Sequence, residues 1–252
     1  MNSLILLATL LIPQIQTEAI TYGDSKNPQE GFLAYDANAK GARPGILIVH
    51  DWMGLGDEMK SRAKQLAALG YVAFAADIYG KGIRPKDSSE ASKLAGSFKA
   101  DRALLRSRIN AALTELKKSK KIDPKKIVAI GYCFGGTTAL ELARSGAPVA
   151  GIVSFHGGLQ TPTPQDAKNI KAKVLVLHGA DDPYVPETEV TAFQKEMRDA
   201  KTDWRMISYG GAVHSFTIPS AGNDHSKGAA YNEKADKRSW QDFMNFLKEV
   251  VG

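Results

Sequence analysis

The sequence predicts an α/β fold: a mostly parallel, twisted sheet with helices on both faces. Three observations carry that expectation. Short apolar, β-branched runs alternate with longer helix-forming segments beyond residue 20, the order that a parallel sheet with crossover helices requires. The runs are apolar throughout, as strands buried on both faces are. Residues 127–136 read as strand, sharp turn and helix start, with the single cysteine of the chain at the turn. At 252 residues, 43% hydrophobic and 24% charged, the chain suits one domain of this kind.

In chain order, residues 4–12 form an apolar run of nine residues, too short for a bilayer span of about twenty. Followed by Pro13 and the Thr17-Glu18-Ala19 pattern, the run reads as a secretory h-region, although Met1-Asn2-Ser3 lacks a basic residue. The expectation is a cleaved leader over 1–19 and a periplasmic or secreted domain over 20–252; a first strand or a membrane-surface anchor is the alternative. Strands are expected at 31–35, 45–50, 71–76, 127–131, 149–155, 174–178 and 203–209, where apolar and β-branched residues cluster. Helices are expected at 57–69, 88–119, 135–144, 186–200 and 231–251; the long one should break near Gly96, and 135–144 ends ahead of Gly146. The Gly-, Pro- and Thr-rich stretch 157–164 reads as a loop within one domain. Net charge is +6. The basic groups at 117–121 and 125–126 read as a solvated helix end and loop, since no nucleic-acid motif accompanies them. A small molecule is the expected partner, to a monomer or small homo-oligomer.

Ligands of open α/β sheets sit beyond the carboxyl ends of the strands, and the reactive residues of this sequence collect there. Gly131-Tyr132-Cys133-Phe134-Gly135-Gly136 has the form of a nucleophile elbow, in which the sharp turn lifts the central side chain above the sheet. Serine is usual at that position; here it is cysteine, placed where a helix N-terminus favours a thiolate. Two aspartates follow the strand at 174–178. Asp182 is favoured over Asp181 as the acid because Gly-x-x-Asp is the usual spacing after this strand. Of the five histidines, His214 alone follows both the last strand and the acid, so it is the expected general base. His50, His156 and His178 read as loop-bonded and His225 as solvated. The second backbone donor to an oxyanion, beside Phe134, is expected from Trp52. No His or Cys pair has metal-ligand spacing, and no cofactor is expected.

These residues resemble those of the dienelactone hydrolase (carboxymethylenebutenolidase) family of the α/β-hydrolase superfamily. The resemblance runs from about residue 20 onward. Its carriers are 50–55 (His-Asp-Trp-Met-Gly-Leu), 77–82 (Asp-Ile-Tyr-Gly-Lys-Gly), the elbow, 182–186 (Asp-Pro-Tyr-Val-Pro) and 211–216 (Gly-Ala-Val-His-Ser-Phe). It implies a Cys–His–Asp triad of Cys133, His214 and Asp182. It also implies an acidic residue assisting the thiol, matched by Asp51, which is one methylene shorter than the glutamate usual there. The family holds a substrate carboxylate with two arginines; the matching positions carry Lys81, which keeps the charge but not the fork, and Ile218, which keeps neither. Arg84 lies near the first of these. Tyr79 is expected to wall the pocket with Trp52, Phe134, Tyr184 and Phe216. The expected activity is hydrolysis of esters or lactones through a thioacyl-enzyme. The alternatives are a broad carboxylesterase or thioesterase, and a non-catalytic member of the fold that binds a small molecule or senses oxidation at Cys133.

Overall fold

A computed structural model of the chain describes residues 12–252. One eight-stranded sheet forms its centre: β1 (Ile15–Tyr22), β2 (Gln29–Asp36), β3 (Arg43–Val49), β4 (Val72–Ala76), β5 (Ile122–Tyr132), β6 (Gly151–Phe155), β7 (Lys173–Gly179) and β8 (Trp204–Tyr209). Their spatial order is β1-β2-β4-β3-β5-β6-β7-β8. Pairing is antiparallel at β1–β2 and β2–β4 and parallel from β4 to β8. β4 and β6 are buried at every residue, as a strand covered on both faces must be.

The helices are α1 (Asp57–Ala68), α2 (Ser88–Ala100), α3 (Arg102–Lys117), α4 (Phe134–Arg144), α5 (Glu187–Asp199) and α6 (Glu233–Val251). Two apolar clusters divide them between the faces of the sheet. Met59, Ala63 and Leu66 of α1 pack with Phe243, Phe246 and Leu247 of α6 on one face. Phe98, Leu105, Ile109, Leu140 and Phe193, from α2 to α5, cover the other. α4 is buried over its whole length. Its two charges are therefore paired: Arg144 bonds Glu141 at 3.0 Å and Glu196 at 2.8 Å, and Arg106 bonds Glu141 at 2.8 Å and Asp166 at 2.7 Å. Buried guanidinium and carboxylate groups persist only with such partners.

Two elements depart from expectation. β1 is an edge strand that, among the described residues, pairs only with β2; most of its residues are exposed, so the strand has no apolar run to announce it. The expected end of a leader at Ala19 falls inside this strand, and most of the apolar run lies outside the described residues. The long helical segment breaks at Asp101 rather than Gly96. Asp101 ends α2 and caps α3, its carboxylate accepting the Leu104 N–H at 2.9 Å. Among the described residues, no helix is long and apolar enough to cross a membrane.

Candidate active site

The site is assembled where β5, β7 and β8 end. Cys133 lies between β5 and α4 with φ 54°, an unusual backbone for a residue with a side chain. The flanking glycines permit the turn: a Cβ on Gly131 would collide with the Gly135 carbonyl, and one on Gly135 with the Val49 carbonyl. The Cys133 N–H is held by the Phe155 carbonyl at 3.0 Å, and the Cys133 carbonyl accepts the Gly136 N–H at 2.9 Å. With its backbone fixed, the sulfur projects into a cavity of about 430 Å³ that Trp52, Phe134, Thr137, Tyr184 and His214 also line.

His214 Nε2 lies 3.0 Å from Cys133 Sγ, and Nδ1 lies 2.7 Å from Asp182 Oδ2. Asp182 is buried, and its other oxygen accepts the Tyr184 N–H at 2.8 Å. Burial alone would lower the His214 pKa. The Cys133 sulfur and the Asp182 carboxylate on its two nitrogens overcome that and raise it to about 10. The sulfur on one side and the carboxylate on the other thus favour the protonated imidazole over the neutral one. The Tyr184 and His156 rings pack edge-to-face with it at 5.5 and 5.3 Å. Asp181 is engaged elsewhere. Its carboxylate accepts the Gly211 N–H at 3.0 Å and ties the acid loop to the histidine loop.

Phe134 is the first residue of α4, and the first amides of a helix have no intrahelical acceptor. Trp52 stands on the loop after β3. The Tyr79 hydroxyl donates to the Trp52 carbonyl at 2.9 Å, while His50 Nδ1 lies 2.6 Å from the Asp51 carbonyl and His50 Nε2 accepts the Ile78 N–H at 3.1 Å. Burial pushes the His50 pKa down to about 4, which suits a neutral ring bridging two loops. Tyr79 supports the Trp52 loop from beneath, packed on His50 and Phe134, and is not on the cavity wall. Phe216 is fully buried in the opposite core.

Other expected positions are also redistributed. The Asp51 carboxylate accepts the Met53 N–H at 2.8 Å and, among the described residues, makes no hydrogen bond to Cys133. Burial raises its pKa, opposed by that bond and by the His214 charge, so it does face the imidazolium electrostatically. Lys81 does not reach the cavity: its ammonium bonds Glu30 at 2.7 Å and Thr21 at 3.1 Å, over β1 and β2. Arg84 is held by the Leu55 carbonyl at 2.8 Å and by Asp77. Ile218 is buried in the core beside α6. His156 Nε2 lies 2.8 Å from the Thr217 hydroxyl rather than from loop backbone, and His178 Nδ1 is buried without a partner among the described residues. His225 Nε2 lies 3.2 Å from the Tyr231 carbonyl.

The charged groups that do line the cavity are Lys99, Arg102 and Glu189, none of which the sequence pattern singles out. The missed signal is Asp101, an N-cap residue within what reads as one long helix. Starting a second helix there turns Arg102 toward the elbow.

Comparison with known proteins agrees with this fold. A solved structure named m3DLH is 40% identical and superposes with a TM-score of 0.91 over 94% of this chain and 99% of its own. A dienelactone hydrolase-like promiscuous phosphotriesterase from metagenomic libraries is also 40% identical, with a TM-score of 0.89 over the same shares. A relative in Aquifex aeolicus that carries the carboxymethylenebutenolidase name is 29% identical over 221 residues, covering 86% of this chain and 93% of its own. The family model for dienelactone hydrolases matches residues 30–251, so the chain belongs to the dienelactone hydrolase family of α/β-hydrolases.

Proposed function

We propose that the protein hydrolyses carboxylic esters or lactones through a thioacyl-enzyme on Cys133. The observation that carries this reading is the unbroken line from Asp182 through His214 to Cys133, at 2.7 and 3.0 Å, opening on a cavity of small-molecule size. In this mechanism His214 takes the Cys133 proton, which leaves a thiolate beside an imidazolium. The thiolate attacks the substrate carbonyl, and the oxygen that becomes negative is received by the Phe134 and Trp52 N–H groups. Collapse of this intermediate breaks the carbon–oxygen bond of the ester, and the departing alkoxide takes the His214 proton. Neutral His214 then removes a proton from water as the water attacks the thioester. The second collapse releases the acid and restores the thiolate–imidazolium pair. Asp182 stabilises the imidazolium and fixes the ring throughout.

The test uses short aryl esters and unsaturated lactones. Turnover should show a burst of about one equivalent of aryl alcohol, and mass spectrometry of the quenched protein should find the acyl group on Cys133. Cys133→Ala should lose activity by about 10³-fold or more, and one equivalent of a thiol reagent should do the same to the native protein. Full activity in alkylated protein would overturn the assignment.

We also propose that any export signal ends ahead of Ile15, because cleavage after Ala19 would divide β1. N-terminal sequencing of exported protein reads the cut directly; a mature terminus at Ile20 would refute this placement.

A further inference from the structure

Three arginines stand together where α3 meets α4, and one differs from the other two. Arg106 and Arg144 each bond two carboxylates. Arg102, the first residue of α3, has no carboxylate within ion-pair distance among the described residues. Its Nη2 donates to the Gln160 carbonyl at a long 3.3 Å. Nε and Nη1 are shielded from solvent and have no hydrogen-bond partner among the described residues. Shielded guanidinium N–H groups without partners are costly, and a bound ligand or ordered water is what ordinarily satisfies them. Arg102 also lines the cavity that contains Cys133, with Lys99 beside it at the end of α2. Glu189, among the described residues the one carboxylate that lines the cavity, is turned elsewhere: a single oxygen accepts the Leu159 and Gln160 N–H groups, fixing the loop on which Arg102 leans.

We propose that Arg102, assisted by Lys99, binds a carboxylate carried by the substrate on the part of the molecule remote from the carbonyl that Cys133 attacks. The inference rests on the hydrolase reading above, and its site differs from the Lys81 and Ile218 positions, which face away from the cavity. A planar carboxylate matches two adjacent N–H groups on either edge of a guanidinium. Here each edge pairs Nη2 with one of the unengaged nitrogens. Both of these sit behind the cavity surface, so the ligand gains them through a rotation of the guanidinium that gives up the 3.3 Å contact to Gln160. Arg102 is also depressed in pKa, by burial first and then by the neighbouring Arg144 and Arg106 charges, with Glu141 and Glu189 opposing. An incoming anion relieves that condition. Lys99, exposed and without an ion pair among the described residues, adds charge at the rim.

The experiment compares two aryl esters of similar length, one with a glutarate acyl group ending in a free carboxylate and one with a neutral valerate group. In wild type the acidic ester should have the higher kcat/KM. Arg102→Ala should lower the acidic-to-neutral ratio at least tenfold, mostly through KM, and Arg102→Lys should recover part of the loss. Lys99→Ala should lower it less, and more at low ionic strength. A second measurement does not depend on turnover: glutarate should protect Cys133 from iodoacetamide in wild type and fail to do so in Arg102→Ala. If neither ester is hydrolysed while protection follows Arg102, the ester-hydrolase reading falls and the anion site stands. If both esters turn over and neither the ratio nor the protection responds to Arg102, the anion site is wrong and the hydrolase reading stands.

Discussion

The two sides of the active-site cavity are built differently. The side that carries Cys133, His214 and Asp182 hangs from the ends of parallel strands, and each polar atom of the line from Asp182 to Cys133 has a partner at 3.0 Å or less. The facing wall comes from the junction of α2 and α3 and the loop after β6, and holds Arg102 with two unpartnered nitrogens. One side is fixed by backbone geometry; the other is set by where a helix happens to begin. Reaction chemistry belongs on the first, since a misplacement of about 1 Å there can cost 100-fold. On the proposed reading recognition belongs on the second, where a changed side chain alters the substrate and leaves the line from Asp182 to Cys133 intact.

The largest effects should come from the rigid side. Asp182→Asn should lower the acylation rate by about 10²- to 10⁴-fold, because the amide neither stabilises the imidazolium nor enforces the ring's orientation. Asp181→Asn, which keeps an oxygen for the Gly211 N–H, should cost less than tenfold. Pre-steady-state acylation of the two variants gives the ranking, and the reverse order would place the acid one residue earlier.

Next in size is a change of stability. Ile218→Arg would set a guanidinium in a packed apolar cluster. Chemical denaturation should show a loss of about 3 kcal/mol or more, or an insoluble protein, rather than a new substrate clamp. A stable variant with improved turnover of acidic esters would show that this residue faces the cavity after all.

A smaller effect is expected in the pH dependence of folding. His214 is raised from an ordinary value near 6.5 to about 10 in the folded state. The folded protein therefore binds this proton more tightly than the unfolded chain does. The contribution is fully present below about pH 6.5 and is lost as pH rises through about 10. Thermal melts between pH 7 and 10.5 should show wild type losing its advantage over Cys133→Ala, which lacks the thiolate partner. Parallel curves would mean that the imidazolium is not held by the sulfur.

The same division explains what the sequence discloses. The elbow is legible because its glycines, cysteine and following helix are contiguous, and because sterics leave few residues able to make that turn. Asp182 and His214 are legible because each follows a strand end at a short, fixed distance. Lys81 and Ile218 are legible only as positions. Whether a side chain there reaches the cavity depends on neighbours distant in sequence: Glu30 and Thr21 draw Lys81 over β1 and β2, and α6 closes over Ile218. Arg102 escapes notice because a helix start inside a helical stretch leaves only one aspartate as its mark. β1 escapes because an exposed edge strand needs no apolar run.

The smallest effect is expected at Lys81, and it sharpens the comparison most. Its ammonium and the Glu30 carboxylate are about half and more than a third exposed, and the short contact between them holds the Glu30 carboxyl below its ordinary pKa. Exposed pairs of this kind contribute about 0–1 kcal/mol, because water and salt screen the charges and both side chains lose freedom. Lys81→Ala should therefore change stability by less than about 1 kcal/mol. It should also leave the acidic-to-neutral ester ratio within about twofold of wild type, since that wall of the cavity has no part of Lys81 in it. Arg102→Ala, assayed side by side, should shift the ratio at least tenfold. If the two variants exchange behaviour, Lys81 must leave Glu30 when substrate binds, and recognition would follow the Gly80–Lys81 loop rather than the helix junction.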